Sequence, residues 1–78
     1  MTLEIISPEK TIYSGNVESV TVPGTIGLFT ILNRHAPIIS TLTQGTLTYS
    51  IDGEKTKVKV NGGFVEVKNN NVTVCIEQ

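Results

Sequence analysis

The stretch NRHAPIIS, residues 33–40, carries the only imidazole of this 78-residue sequence, and VTVCIEQ at its far end carries the only thiol. For His35 to act as a general base, a carboxylate has to lie behind the ring and a nucleophile in front of it. Seven acidic residues are available, but most fall on outward strand positions or in turns, and no spacing sets one behind His35. A Ser-His-acid set is assembled in space rather than along the chain, so spacing alone leaves that arrangement open. Size argues against it, because a chain of 78 residues leaves little room for a cleft of ~300–1,000 Å³. Cys75 has no disulfide partner, and without a second cysteine or a histidine cluster there is no metal-ligand set to assemble. Its spacing suits a half-buried strand position, where a thiol acts as a small hydrophobe. Gly24-Thr25-Ile26-Gly27 lacks the lysine and third glycine of phosphate loops, and no helical pattern follows, so it reads as a turn. No catalytic, cofactor-binding or metal-binding residues are expected.

The elements that would position these residues come from a chain close to the length, about 70–80 residues, below which one core rarely holds a fold unaided. Nearly every apolar residue is therefore needed inside. The apolar set is mostly Val, Ile and Leu, which favours strands. Six Lys+Arg against seven Asp+Glu give a net charge of −1, so the basic field of a nucleic-acid binder is missing. MTLEIISPEK has no charged n-region followed by an apolar h-region, and no stretch approaches roughly 18 consecutive apolar residues. A soluble, cytoplasmic chain is expected.

Period-two alternation recurs between turn residues, the pattern of an all-β fold. Leu47, Tyr49 and Ile51 share one face, with Thr46, Thr48 and Ser50 on the other. Asp52-Gly53 suits a type I′ hairpin turn, and the chain returns from Glu54 to Val60. There Val58 and Val60 oppose Lys55, Lys57 and Lys59. We read that lysine stripe first as a solvated face that discourages edge pairing, and second as a docking site for an acidic partner. Phe64 to Lys68 precedes a reversal through Asn69, Asn70 and Asn71, after which Val72, Val74 and Ile76 alternate with polar residues. Earlier strands are expected at Thr2–Ser7, Thr11–Ser14, Asn16–Val22, Leu28–Leu32 and Ile38–Thr43. Pro8, Gly15, Pro23-Gly24 and Gly45 are expected between strands. Nine short strands imply two packed sheets over residues 1–78, with no linker, repeat or second domain.

Two stretches stand out. VPGTIGLFTIL puts Ile26 and Leu28 around Gly27 in an exposed loop, where they either form a contact surface or fold back over the core. In the other stretch, Pro37 holds Ala36 extended and starts a strand cleanly at Ile38. Ile38, Ser40 and Leu42 then share one face, leaving Ile39 with Thr41 and Thr43 on the more polar one. An apolar residue there fits a strand that meets another subunit.

Taken in order, LEIISPEK, YSGNVESVTVPGTIG, HAPIISTLTQG and NGGFVEVKNNNVTV make the whole chain resemble the N-terminal domain of the epsilon subunit of F-type ATP synthases. The resemblance implies an all-β, flattened β-sandwich of about ten short strands in two packed sheets. It also implies a non-catalytic rotor subunit of the central stalk, which couples proton or sodium translocation to ATP synthesis. The implied partners are the gamma subunit, the c-subunit ring and, through gamma, the catalytic head. Membrane association is implied only through the complex, as a peripheral subunit on the cytoplasmic face of the inner (plasma) membrane. Gly24, Thr25, Ile26, Gly27 and Leu28 correspond to the ring-facing loop. His35, Ala36, Pro37, Ile38, Ile39, Ser40, Thr41, Leu42 and Thr43 correspond to part of the gamma-facing segment.

The sequence departs from that pattern in places. Ile26 and Leu28 stand where acidic residues are common, so the ring contact is expected to be more hydrophobic or displaced. Thr30 and Arg34 stand where glycine is common, which bears on the turn before His35. The chain stops at Gln78, where the family's C-terminal helical hairpin would begin, so neither nucleotide binding nor inhibition by helix extension is expected of the chain as given. A generic β-sandwich binding module is the alternative reading, and a small hydrolase built on His35 the third. Calorimetry with MgATP should give a flat isotherm; a saturable, micromolar-range one contradicts the expectation.

Overall fold

The computed structural model describes residues 1–77 and places nine strands among them. These are β1 Thr2–Ile6, β2 Thr11–Asn16, β3 Ser19–Gly24, β4 Gly27–Leu32, β5 Ile38–Leu42, β6 Gly45–Ile51, β7 Glu54–Val60, β8 Gly63–Lys68 and β9 Asn71–Ile76. Nine is the number that alternation gives and one fewer than the ten the resemblance implies. Gln78, where the helical hairpin would begin, lies outside the described residues.

The strands join in the order β2-β1-β9-β8-β5-β3-β6-β7, with β4 on the free side of β3. All neighbours are antiparallel except β1 and β9, the first and last strands, which run parallel side by side. Between β5 and β3 the ladder narrows to one residue pair, Gly24 with Leu42. The sheet therefore folds over at that seam into a five-stranded half, β2-β1-β9-β8-β5, and a four-stranded half, β4-β3-β6-β7. The two packed sheets expected from sequence are these halves, continuous at one point.

Alternation then fills the interior. Leu3, Ile5, Val65, Val67, Val72, Val74 and Ile76 face inward from the first half, and Val20, Val22, Ile31, Leu47, Tyr49 and Val60 from the second, forming one buried cluster. Tyr13 of β2 stacks on Tyr49 of β6 with ring centroids 4.4 Å apart, adding an aromatic contact between the halves. Ser40 falls on the inward face of β5 without stranding its hydroxyl, which donates to the Thr41 carbonyl at 3.2 Å.

Turn chemistry sets the hairpins. Asp52 and Gly53 take φ of 51° and 81°, and Asn69 and Asn70 take 52° and 62°, the positive pairs that a two-residue type I′ turn needs. Four residues expected between strands lie within them instead: Gly15 pairs with Leu3 inside β2, Pro23 and Gly24 pair with Leu28 and Gly27 inside β3, and Gly45 opens β6. Proline is tolerated because β3 changes partner there, from β6 at Thr21 to β5 at Gly24. The Pro23 carbonyl accepts from the Thr43 amide at 2.8 Å. The ring nitrogen faces the same side, at a step where the ladder asks for no donor.

Gly63 has a φ of 130°, and a Cβ placed on it would collide with the Cys75 carbonyl oxygen. Gly53 has a positive φ too, but open space around it. Urea unfolding should show Gly63→Ala losing at least about 2 kcal/mol, from strain and collision together, and Gly53→Ala about 1 kcal/mol from strain alone. Equal losses would contradict the register of β8 on β9.

Candidate functional site

Gly24 and Gly27 pair across the β3–β4 hairpin, leaving Thr25 and Ile26 as its two-residue tip. A tip this tight has no length with which to fold back. Ile26 is fully exposed and Leu28 is 71% exposed, so the pair projects from the domain rather than covering the core. Two aliphatic side chains held in water on a rigid hairpin carry a standing hydrophobic cost, which contact with an apolar surface would relieve.

His35 sits in the loop between β4 and β5. Its amide donates to the Leu32 carbonyl at 3.2 Å, and its Nδ1–H donates to the Ala36 carbonyl at 2.8 Å. The ring is thus engaged with the neighbouring backbone, and the residue is half-buried. Arg34, just before it, takes a left-handed φ of 62°, the conformation glycine adopts at no cost. Its amide donates to Asn70 Oδ1 at 2.9 Å, and the N-terminal ammonium of Met1 donates to Asn33 Oδ1 at 2.8 Å. Two distant parts of the chain therefore clamp this loop, and His35 is a shaped corner leading through Ala36 and Pro37 into β5. On β5, Ile38 and Leu42 turn inward while Ile39 is 74% exposed.

The structure brings the two stretches together at one end. The Thr25 amide donates to the Thr41 carbonyl at 3.1 Å, the Thr43 amide donates to Pro23, and the hydroxyls of Thr25 and Thr41 lie 3.0 Å apart. These bonds surround the Gly24–Leu42 pair. The hairpin tip is thereby bonded to the C-terminal end of the His35–Thr43 segment, while His35 lies beyond the other end of β5, a strand that itself spans roughly 13 Å at ~3.3 Å per residue.

Sequence reading missed the continuation of that surface across the sheet. Register places Thr41 beside Phe64, Phe64 beside Cys75 and Cys75 beside Ile6, a row in which Phe64 is 46% exposed. Its signal was present, since inward Val65 and Val67 force Phe64 outward. Cys75 is half-buried, as its spacing suggested.

The expectation of little cleft volume needs correction. Hollows of about 670, 490 and 330 Å³ lie on the surface, all open and on outer faces, because the space between the halves is filled by side chains. His35 lines none of these three. Among the described residues no three His, Cys, Asp or Glu side chains gather as metal ligands.

Fold and surface together define a class: a small all-β domain that presents an apolar hairpin tip and an outward strand face fixed to each other. The chain belongs to the family described as ATP synthase, Delta/Epsilon chain, beta-sandwich domain, whose profile matches residues 1–78. It is 48% identical over 78 residues to the ATP synthase epsilon chain of Leptospira borgpetersenii, covering 99% of this chain and 61% of that one. It is 39% identical over 75 residues to the ATP synthase epsilon chain of Maricaulis maris, covering 96% and 56%. The chain thus spans about three-fifths of the length of such relatives. Its fold matches a chain in the Euglena gracilis mitochondrial ATP synthase structure containing OSCP, F1 and the c-ring, with a TM-score of 0.92 at 22% identity over 97% of this chain and 49% of that one. A chain of the Tetrahymena thermophila mitochondrial ATP synthase central stalk and c-ring matches with a TM-score of 0.85 at 15% identity, over 99% and 63%.

Proposed function

We propose that residues 1–78 form one non-catalytic unit of the rotor of an F-type ATP synthase, placed in the central stalk between the gamma subunit and the c-subunit ring. The hairpin Gly24–Leu28 rests on the ring, and the segment His35–Thr43 meets gamma. Ion flow, of protons or sodium, turns the ring; the domain helps lock gamma to it, and gamma carries the rotation to the catalytic head. The domain works as a peripheral part of the complex on the cytoplasmic face of the membrane. Family membership supports the reading, and one observation carries it: the two segments, which would bear load from different partners, are hydrogen-bonded to each other at the seam. A torque-bearing joint requires contact area and stiffness, and a shaped His35 corner supplies shape where an enzyme would need a tuned acid or base.

Purification of the tagged chain from its host in mild detergent should recover gamma, c and the catalytic subunits. His35→Ala should reduce that recovery or uncouple ion flow from synthesis while leaving hydrolysis by the catalytic head intact. Failure to recover gamma overturns the reading, and so does a His35→Ala defect confined to catalysis with assembly and coupling intact.

A further inference from the structure

The outer face of the four-stranded half carries a charge pattern that shape alone does not explain. Register sets Lys57 beside Thr48, Lys59 beside Thr46 and Lys55 beside Ser50. Thr48 is followed by Thr21 and then Thr30. The rows thus run from hydroxyl to lysine with no carboxylate in them. Glu18 is engaged at the Lys55 end, where its Oε1 accepts from Ser50 Oγ at 3.4 Å and from the Gly53 amide at 3.2 Å. At the opposite end lies the 670 Å³ hollow. Ile26 and Leu28 form one side of it, Lys57 another, and Thr46 and Thr48 stand between them.

We propose, building on the ring-contact reading of the hairpin, that this hollow seats a convex protein loop carrying an aliphatic side chain and a carboxylate. The aliphatic group covers Ile26 and Leu28, removing apolar surface from water. The carboxylate accepts from the Lys57 ammonium, with the hydroxyls of Thr46 and Thr48 within the same wall as further donors. Charge complementarity selects an acidic group, since the face is cationic and has no acid of its own near the tip. Concavity selects a protruding loop over a flat lipid surface. The absence of aromatic side chains in the lining removes the stacking platform a single-stranded nucleic acid would use.

The test uses host membranes depleted of the native chain and the full chain added back across a KCl series. Lys57→Gln should lower the retained fraction about two- to fivefold at low salt and flatten its salt dependence. Lys57→Arg should restore both. Ile26→Ser should lower retention about tenfold at every KCl concentration, because apolar contact is not screened. Lys57 and Ile26 are exposed, so an unchanged thermal midpoint verifies that each variant is folded. Retention of the wild type with no effect of Lys57→Gln overturns the inference alone. Lys57-dependent binding to protein-free phosphatidylglycerol vesicles also overturns it, by assigning the face to lipid. A wild-type chain that does not associate with the membranes at all overturns the ring-contact reading beneath it.

Discussion

One residue pair, Gly24 with Leu42, joins the halves of the nine-stranded sheet, and the placement of every exposed surface follows from it. A sheet with a full ladder between β3 and β5 would remain open, with its apolar face in water. A sheet with none would be two layers held by side chains only. One pair, flanked by the amide bonds from Thr25 and Thr43, lets the sheet turn over and close on its own apolar face. The core of Val, Ile and Leu then holds the closure, as does the stacking of Tyr13 on Tyr49 across the interior. The seam fixes direction, and burial supplies the free energy.

The same seam ties the exposed hairpin tip to the strand that follows the His35 corner. The hairpin tip is bonded to β5, and β5 leads back to the His35 corner, which Met1 and Asn70 hold from other parts of the chain. The polar contacts of His35 go to the backbone of Leu32 and Ala36, which fixes the shape of the corner. The face opposite β5 carries the lysines, and the hollow beneath the tip joins that face to the apolar hairpin. Apolar reach, cationic wall and rigid attachment thus meet within a few residues of one turn.

Much of the fold was legible in the sequence, and the legible parts share a cause: they depend on residues close together in the chain. Asp52-Gly53 and Asn69-Asn70 announced their hairpins because few residues accept paired positive φ angles. Val72, Val74 and Ile76 announced an inward face because strand side chains alternate. What escaped depends on distant partners. Pro23 read as a turn, since proline lacks the donor a ladder usually needs; only the switch of β3 from β6 to β5 makes that lack harmless. The parallel pairing of β1 with β9 joins residues some seventy positions apart, and no local pattern encodes it. For the candidate site, exposure of Ile39 followed from alternation. Exposure of Ile26 and Leu28 did not, because it required knowing that Gly24 and Gly27 close the hairpin to two residues. The outward row through Phe64 and Cys75 needed the register of four strands.

Amide hydrogen exchange on the isolated domain tests the role of the seam most directly. If β3 and β5 are fixed to each other, the amides of Thr25 and Thr43 exchange as slowly as those of the core strands, although both sit at strand ends, while the amide of Ile26, one residue further along the same tip, exchanges orders of magnitude faster. Thr25 and Thr43 exchanging as fast as Ile26 would mean that the halves part freely at the seam, and the fixed attachment of the hairpin tip to β5 would be refuted.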